Sequence, residues 1–398
     1  MKIDEQKIDE ILNRGTIVDI LPTKEDFKKE LLSGKKLKFY IGFDATSPTL
    51  HLSHAKNVML MEKFRQLGHE VIILFGDFTA RIGDPSGENS ARKQLSKSEV
   101  NKNVKQWKKL ISPLMNFRDW KNPPKIMYNS SWLSKLNFEN ILGLASNFTV
   151  QRMMERDMFQ NRLKEEKPIY LHEFLYPLMQ GYDSVAMNVD VEVCGTDQIF
   201  NALTGRDLLK KLKGKEKFVV ALTLMENPKT GELMSKSKGT GVFLDVKSDE
   251  MYGQIMAQPD EMIEILFINN TLLTLDEIKN IINSQNPRDQ KARLALEIVK
   301  IFYGESKAEK AQQEFDKIFR NKDLPTEIEN FDIELPKDIV YLLVNTKIAS
   351  SKKEAWRLVN QKGVKFNNKV IDNPKLEIFE EGILQVGTRR FAKINLKK

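Results

Sequence analysis

Residues 38–54 read KFYIGFDATSPTLHLSH, and the interpretation of the whole chain starts from them. The apolar run up to Phe43 predicts a buried parallel strand, and the spacing of apolar residues from about Leu52 predicts a helix after an intervening loop. His51 and His54 then lie in the first turn of that helix. A helix start presents unpaired N–H groups and the positive end of the helix dipole, which suits an anionic ligand such as a phosphate.

The histidine pair alone leaves three interpretations open. Two histidines three residues apart on a helix are often surface residues, and a metal pair is disfavoured because no third ligand stands at a useful spacing nearby. The third interpretation, a nucleotide site, gains support from LMSKS at residues 233–237, in a glycine-bounded segment that predicts a loop. Together, HLSH and LMSKS resemble the HIGH and KMSKS signatures of class I aminoacyl-tRNA synthetases.

The composition is typical of a soluble globular protein. The 398 residues suffice for two or three domains, with 41% hydrophobic and 30% charged residues. The charged start, MKIDEQKIDE, predicts neither a signal peptide nor a membrane span. A single cysteine, Cys194, excludes an internal disulfide and favours a reducing cytoplasm, which is the localisation we expect.

The net charge of +8 is concentrated at one end of the chain. From Pro336 onward there are 14 Lys and Arg against 6 Asp and Glu, so the body before it is neutral. A small basic domain on a neutral body indicates a polyanionic partner, most simply RNA. Solvated surface lysines are the alternative explanation.

Further apolar runs predict the rest of a doubly wound sheet. Residues 71–75 form a second buried strand after a helix that ends at Gly68, and residues 125–127 and 189–193 predict more strands. The expected fold class is therefore α/β, a Rossmann-like doubly wound parallel sheet in a catalytic domain. An all-helical domain and a small α+β RNA-binding domain follow it.

We expect the chain to divide into a large first domain and three smaller segments. The catalytic domain covers residues 1–245, with an N-terminal cap of two helices over 1–36 and a helical subunit-contact insertion over 138–166. The remaining segments are a helical anticodon-binding domain at 246–320, a linker at 321–335 and the basic RNA-binding domain at 336–398.

The segment HEFLYPLMQGYD at residues 172–183 places three hydrogen-bonding side chains on one face of a predicted helix. Tyr176, Gln180 and Asp183 are spaced by four and three residues. Such groups on an otherwise apolar face need partners. A polar substrate would supply them, and so would a structural network of protein hydrogen bonds.

The basic tail predicts a helix followed by a hairpin. Ser350 or Ser351 can cap the helix KKEAWRLVNQ, and the turn Asn367-Asn368 joins two short strands. This pattern resembles the small RNA-binding domain first named for a ribosomal small-subunit protein. Its candidate RNA-binding residues are Lys352, Lys353, Arg357, Lys365 and Lys369.

Read in order, the motifs resemble the bacterial tyrosyl-tRNA synthetase family over nearly the whole chain. They are Tyr40, HLSH, Gly83-Asp84-Pro85, Tyr176-x-x-x-Gln180-x-x-Asp183, Gly195-x-Asp197-Gln198 and LMSKS. Tryptophanyl enzymes share the fold and both signatures. The Tyr-Gln-Asp helix and the basic tail favour tyrosine.

The resemblance implies three sets of site residues. For tyrosine, Tyr40 and Asp183 would hold the phenolic OH and Asp84, Tyr176 and Gln180 the α-ammonium group, supported by Thr79, Asn129 and Gln198. Gly42, Asp44, Ser53, Gly195, Asp197, Met234 and Ser235 would surround ATP and the adenylate, with Gln198 also near the α-phosphate. The catalytic set, directed at the phosphates, would be Thr46, His51, His54, Arg92, Lys236 and Ser237.

The resemblance also implies the reaction and the partners. Tyrosine and ATP, supplied as its Mg²⁺ complex, would give tyrosyl-adenylate and pyrophosphate, and the tyrosyl group would pass to the 3′ end of tRNA(Tyr). We expect a homodimer, no membrane partner and no tightly bound metal site.

Three positions depart from the family pattern. Ser53 replaces a glycine against which adenine packs, and Leu233 replaces the first lysine of KMSKS, for which Lys238 or Lys229 would compensate. Glu88 stands where a basic residue is common before Arg92. These departures motivate the alternative hypothesis of a catalytically weakened family member that acts as an RNA-binding scaffold.

Overall fold

The structure is a computed structural model that describes residues 3–84, 95–234, 240–319, 328–387 and 390–397. The chain divides into two compact units, Met1–Glu305 and Ser306–Lys398. The division falls inside the segment 246–320, for which the sequence predicts a separate helical domain. Among the described helices, none has both the length and the apolar character needed to cross a bilayer.

A six-stranded sheet forms the centre of the first unit. Its strands are β1 (Ile17–Leu21), β2 (Lys38–Phe43), β3 (Glu70–Phe75), β4 (Lys125–Tyr128), β5 (Val191–Gly195) and β6 (Phe218–Leu222). The order is β1-β6-β5-β2-β3-β4, and every pair is parallel except β1 with β6. The strand order reverses between β2 and β5, and ligands of such sheets bind at the carboxyl ends of the strands beside that reversal.

Strand β1 is an element of the first unit that the sequence does not predict. Helices α1 (Glu5–Asn13) and α2 (Lys24–Leu32) form over the expected two-helix cap, with β1 between them. Of the residues in β1, only Ile20 is buried. This edge strand therefore lacks the apolar run by which buried strands are recognised.

Helices connect the strands and complete the first unit. They are α3 (Leu52–Gln66), α4 (Lys97–Ile111), α5 (Ser130–Leu133), α6 (Phe138–Ala145), α7 (Val150–Met154), α8 (Asp157–Lys164), α9 (Leu171–Met187), α10 (Ile199–Lys213), α11 (Ser248–Met256), α12 (Ile263–Asn270), α13 (Leu275–Ser284) and α14 (Pro287–Tyr303). Helices α9 and α10 approach closely at two glycines. A Cβ added to Gly181 would lie only 3.2 Å from the Cα of Gly205. Small residues at such a crossing bring polar groups of the two helices within reach of each other.

The insertion over 138–166 is less continuous than the sequence predicts. It consists of the three short helices α6, α7 and α8. Thr149 caps α7 by accepting a hydrogen bond from the backbone of Arg152, and Arg156 is extended just before α8. Met153 and Phe159 are buried, as expected for core positions.

In its described residues, the second unit contains a five-stranded sheet and three helices, the first of which starts at the unit boundary. The helices are α15 (Glu305–Phe319), α16 (Ile339–Asn345) and α17 (Lys352–Asn360), and the strands are β7 (Asn330–Ile333), β8 (Lys337–Asp338), β9 (Val364–Phe366), β10 (Lys369–Ile371), β11 (Glu377–Ile378), β12 (Gly382–Val386) and β13 (Arg390–Leu396). The sheet has the order β10-β9-β12-β13-β7, and β8 pairs with β11.

Two features of this unit bear on the sequence analysis. The predicted hairpin forms, and Asn367 and Asn368 have φ values of +45° and +65°, as a tight turn between two strands requires. Strand β7 pairs in parallel with β13, although the sequence predicts a linker over 321–335. The sequence does not indicate β7, because only Ile333 of that strand is buried and the strand has no run of buried apolar residues.

Candidate active site

Two histidines mark the start of α3, where the chain leaves β2. His51 precedes the helix in an extended conformation, and its backbone N–H donates to Nδ1 of His54 over 3.4 Å. Because Nδ1 of His54 accepts, its ring proton is on Nε2. Burial lowers the pKa of His51 to about 4 and, together with the neighbouring His51, that of His54 to about 3. Both rings are neutral at pH 7, so each offers one N–H donor and no positive charge.

The chain that follows the LMSKS segment lies against this helix start. Val242 accepts a hydrogen bond from the backbone of Leu52 over 3.0 Å, and Phe243 pairs with His51 as an isolated β-bridge. Before the segment, the backbone N–H of Met234 donates to Met225 over 2.9 Å, and the Met234 side chain is buried. The histidines and the flanks of LMSKS therefore belong to one region of the first unit.

A second cluster forms where β2 faces α9, and we call it the Tyr40 cluster: Tyr40, Asn129, Trp132, Asp183 and Ser184. The hydroxyls of Tyr40 and Ser184 are 3.0 Å apart. Asp183 accepts hydrogen bonds from Nε1 of Trp132 over 2.7 Å and from Nδ2 of Asn129 over 3.3 Å. Burial raises the pKa of the Asp183 carboxyl to about 8 and that of the Tyr40 hydroxyl well above its usual range.

A third group, the Asp44 cluster, consists of Asp44, Thr79 and Tyr176. The Asp44 carboxylate accepts from the Thr79 hydroxyl over 2.6 Å and from the Tyr176 hydroxyl over 2.9 Å. Although Asp44 keeps some contact with solvent, desolvation raises the pKa of its carboxyl to about 7. Gly76 provides the space, since a Cβ there would lie 1.9 Å from Oδ1 of Asp44.

Side-chain amides connect the remaining predicted residues. Gln198 donates through Nε2 to Asp84 over 2.8 Å and to Asp197 over 3.0 Å. Asn201 donates to Oε1 of Gln198 over 2.8 Å and to Oε1 of Gln180 over 3.0 Å. This chain of amides places Asp84, Gln180 and Gln198 within one network at the carboxyl ends of the strands.

Comparison with known proteins identifies the family. The sequence model described as "tRNA synthetases class I (W and Y)" matches residues 32–320. A tyrosine–tRNA ligase from Carboxydothermus hydrogenoformans is 40% identical over 417 residues, covering 100% of both chains. Another from Thermotoga maritima is 40% identical over 395 residues, covering 97% of this chain and 96% of the relative. The chain belongs to the tyrosine–tRNA ligases. It is therefore a ligase, and the resemblance drawn from its motifs is confirmed.

Solved structures of tyrosyl-tRNA synthetases have a fold similar to that of this chain. A C-terminally truncated mitochondrial enzyme from Aspergillus nidulans has a TM-score of 0.67 at 23% identity, covering 79% of this chain and 94% of the other. An Archaeoglobus fulgidus enzyme complexed with L-tyrosine has a TM-score of 0.59 at 18% identity, covering 78% and 100%. At these identities the likeness concerns the fold, and it confirms the predicted fold class.

The face of α9 that carries Tyr176, Gln180 and Asp183 does not point at a single partner. Tyr176 donates to Asp44, Gln180 donates to Glu192 over 3.1 Å, and Asp183 accepts from Trp132 and Asn129. The structural network that the sequence leaves open therefore exists in this ligase. The roles of the three side chains toward tyrosine remain predictions.

Other predicted positions are partly or fully exposed, and some are not described. Gly42 is exposed within β2 and Thr46 is exposed after it, Ser53 is half-buried in the first turn of α3, and Asp197 is exposed. Gly195 leaves room for Asp197, because a Cβ there would lie 2.4 Å from Oδ1 of Asp197. The predictions for Glu88, Arg92, Ser235, Lys236, Ser237 and Lys238 fall outside the described residues.

Lys229, one of the two expected replacements for the lysine lost at Leu233, forms an ion pair with Glu261. In the described parts of the chain, no three His, Cys, Asp or Glu side chains are grouped as metal ligands would be. In the second unit, the five candidate RNA-binding residues of α17 and the hairpin are all exposed.

The sequence analysis assigned no role to several residues that complete the site of this ligase. They are Gly76, Trp132, Ser184, Glu192, Asn201 and Lys217. Trp132 follows the strand that ends at Tyr128, and an aromatic side chain with an N–H donor just after a strand end indicates a candidate site residue. The others become visible only through contacts between distant segments.

Proposed function

We propose that this ligase activates L-tyrosine as tyrosyl-adenylate and then transfers the tyrosyl group to tRNA(Tyr). The observation that carries the proposal is the Tyr40 cluster, in which the buried Tyr40 hydroxyl faces α9 and the buried Asp183 carboxyl of that helix is close enough to add to the effect of burial in raising the Tyr40 pKa. A phenolic OH between Tyr40 and Asp183 would satisfy both groups. Phenylalanine would form neither of these two hydrogen bonds, a rejection for which tyrosyl-tRNA synthetases are the standard example.

The α-ammonium group of tyrosine would be held by Asp84, Tyr176 and Gln180, supported by Thr79, Asn129 and Gln198. The amide network supports this assignment, because it fixes the Asp84 carboxylate from one side through Gln198. A carboxylate opposite an ammonium group forms a charge-assisted hydrogen bond. The substrate carboxylate would then project toward the start of α3.

The phosphate chemistry would take place at the α3 start. The tyrosine carboxylate is ionised at neutral pH, so no general base is required, and it attacks the α-phosphorus as pyrophosphate leaves. His51, His54 and the helix N-terminus would donate hydrogen bonds to phosphate oxygens, with Thr46, Arg92, Lys236 and Ser237 toward the pyrophosphate. Catalysis is then alignment plus stabilisation of phosphate charge, and Mg²⁺ enters with ATP as part of the substrate.

Adenosine and the adenylate would lie among the residues between β2 and β5. These are Gly42, Asp44, Ser53, Gly195, Asp197, Met234 and Ser235. The reversal of strand order at this point supports the assignment, since it opens a crevice between the two strand ends. The exposed Asp197 is suited to accept ribose hydroxyls.

The partners follow from the surfaces of each unit. The exposed lysines and arginine of α17 and the hairpin support a tRNA contact in the second unit. A homodimer is supported by large apolar side chains that are more than half exposed on the insertion and the start of α9: Phe138, Leu142, Val150, Leu163 and Leu171. We place the reaction in the cytoplasm, in keeping with the single, unpaired Cys194.

The decisive test is tyrosine-dependent exchange of labelled pyrophosphate into ATP, with tryptophan and phenylalanine as controls. Exchange with tyrosine alone is the expected result. Folded protein that binds tRNA but exchanges with none of the three would overturn the proposal in favour of the RNA-binding scaffold, which the comparisons do not favour.

A further inference from the structure

A fully buried lysine lies directly behind the Tyr40 cluster. Lys217 precedes β6 and has an exposed fraction of 1%. Its ammonium group forms an ion pair with Glu192 of β5 and donates to the Ser184 hydroxyl over 2.6 Å. A charge is costly to bury, so an ion pair at this position requires partners that satisfy it.

The helix crossing provides the space that the ammonium group occupies. A Cβ on Gly205 of α10 would lie 2.7 Å from Nζ of Lys217 and 3.0 Å from Oγ of Ser184. Any larger residue at this position would displace the lysine head from Ser184. The close approach of α9 and α10 and the position of Lys217 are therefore parts of one arrangement.

Lys217 also contacts the Tyr40 cluster through Ser184. The Ser184 and Tyr40 hydroxyls are 3.0 Å apart, and Nζ of Lys217 lies 5.7 Å from the centre of the Tyr40 ring. The link continues about one turn back along α9, because Glu192 accepts a hydrogen bond from Gln180 over 3.1 Å. The ion pair thus touches residues proposed for both ends of the tyrosine substrate.

The direction of these hydrogen bonds follows from the groups involved. Burial lowers the pKa of Lys217, but direct contact with the Glu192 carboxylate favours its charged form, and an ammonium group only donates. A hydroxyl donates one proton and accepts others. Ser184 accepts from Lys217, and Oε2 of Glu192 already receives the ammonium group. Two acceptors lie within reach of the single Ser184 proton: Oε2 of Glu192 at 3.2 Å and the Tyr40 oxygen at 3.0 Å. Because Oε2 of Glu192 already receives the ammonium group, the proton turns to the Tyr40 oxygen when a substrate accepts the Tyr40 proton.

We propose that Lys217 is a positioning residue for tyrosine selection, which sets a one-way series of donors from Lys217 through Ser184 and Tyr40 to the substrate phenol and on to Asp183. The inference rests on the proposed function. The phenol accepts from Tyr40 and donates to Asp183, so its one proton and its oxygen are both used. The positive charge of Lys217 lowers the pKa of the Asp183 carboxyl and so favours the accepting form.

The experiment compares kcat and KM for tyrosine and phenylalanine in pyrophosphate exchange, using Ser184→Ala and Lys217→Met. Ser184→Ala keeps the ion pair and removes the connection to Tyr40, so it is the variant expected to fold normally. Lys215→Met is the matched control, because Lys215 forms a more exposed ion pair with Asp190 over 2.9 Å. Calorimetric binding of tyrosine and phenylalanine to each protein accompanies the kinetics.

For Ser184→Ala we expect KM for tyrosine to rise about five- to tenfold, the effect of one misdirected hydrogen bond, with kcat nearly unchanged. Phenylalanine and the Lys215→Met control should change less than about twofold. Lys217→Met, if folded, should lose at least as much tyrosine discrimination as Ser184→Ala.

An unchanged ratio of tyrosine to phenylalanine in folded Ser184→Ala, or an equal loss for both amino acids, overturns the role of Lys217. If the unaltered enzyme exchanges with neither amino acid, the proposed function fails separately, and the calorimetric preference for tyrosine in the same variants decides the inference. No tyrosine binding by any of the proteins overturns both.

Discussion

Burial acts in opposite directions at the two ends of the candidate site. In the Tyr40 and Asp44 clusters it raises the pKa of Asp183 to about 8 and of Asp44 to about 7. At the start of α3 it lowers the pKa of His51 to about 4 and of His54 to about 3. Desolvation disfavours the charged form of any group, so acids and bases both become neutral.

This contrast shows that burial favours the neutral forms of four side chains of the candidate site, whereas the Lys217–Glu192 ion pair remains beside the Tyr40 cluster. In the proposed reaction, tyrosine would bring an ammonium and a carboxylate, and ATP would bring phosphates and Mg²⁺. Dipoles held in fixed positions, the two imidazoles at one end and the hydroxyls at the other, would then orient these charges. Three predictions test the contrast between the two ends.

The largest effect is expected at the tyrosine end, for Asp183→Asn. The variant loses the carboxylate that would accept the phenolic proton. The new asparagine also points its NH₂ group at Trp132 or Asn129, both of which donate to Asp183 in the unaltered enzyme. We expect kcat/KM for tyrosine to fall about a hundredfold, as for loss of a charged hydrogen bond, while KM for ATP stays within about twofold. Steady-state pyrophosphate exchange measures both.

Its matched control is Asp207→Asn, which removes an exposed carboxylate from α10. This variant should behave as the unaltered enzyme. In the unaltered enzyme, kcat/KM for tyrosine should also rise as the pH passes through about 8, because ionised Asp183 accepts the phenolic proton more strongly than the neutral acid does. An Asp183→Asn enzyme with full tyrosine activity would contradict the assignment.

The second prediction concerns stability between pH 6.5 and 8. A raised pKa means that folded Asp183 holds a proton that the unfolded chain releases, so the free energy of unfolding falls as the pH rises through this window. Asp183 should contribute about 2 kcal/mol to this fall, and Asp44 adds to it up to about pH 7.

The window is chosen to separate the two ends. The buried histidines affect the free energy of unfolding mainly below about pH 6.5, where their lowered pKa values make it rise with pH. Burial lowers the pKa of Lys56 and Lys63 to about 8. These two lysines therefore make the free energy of unfolding rise with pH above about pH 8, outside the window. Urea unfolding at pH 6.5 and 8 should show the fall in the unaltered enzyme and a smaller one in Asp183→Asn. Equal slopes in both proteins would count against a buried neutral Asp183.

The sequence predicts the elements of the site better than its interior. Apolar runs predict β2 to β5, helical spacing predicts α3 and α9, and the tail hairpin follows from Asn367-Asn368. Motif resemblance brings together Tyr40, Asp183 and the HLSH segment, which are far apart along the chain. Local patterns suffice here because each element carries its own signal.

The interior depends on pairings that local patterns do not contain. Lys217 stands in the stretch KGKEKF, where lysines read as surface residues, and its burial depends on the space at Gly205 and the charge of Glu192. Ser184 reads as an ordinary helical serine, although it connects Lys217 with Tyr40. Such contacts exist only once α9, α10 and the sheet have packed.

The smallest predicted effect is at the phosphate end, for Ser53→Gly. Ser53 is half-buried in the first turn of α3, at a position where the motif resemblance implies a glycine against which adenine would pack. Removing its hydroxymethyl group should lower KM for ATP about threefold, the effect of relieving one crowded contact, and leave KM for tyrosine unchanged. Pyrophosphate exchange at varied ATP concentration measures the change.

Ser53→Ala is the matched control, because it removes the hydroxyl and keeps the Cβ. If crowding by the Cβ is the cause, Ala should recover less ATP affinity than Gly, whereas equal recovery would assign the effect to the hydroxyl. Gly in the first helical turn also costs up to about 1 kcal/mol of helix stability relative to Ala, so unfolding is measured alongside. A rise in KM for ATP in both variants would instead mean that Ser53 contacts the nucleotide favourably, and that the departure from glycine strengthens the phosphate end of this ligase.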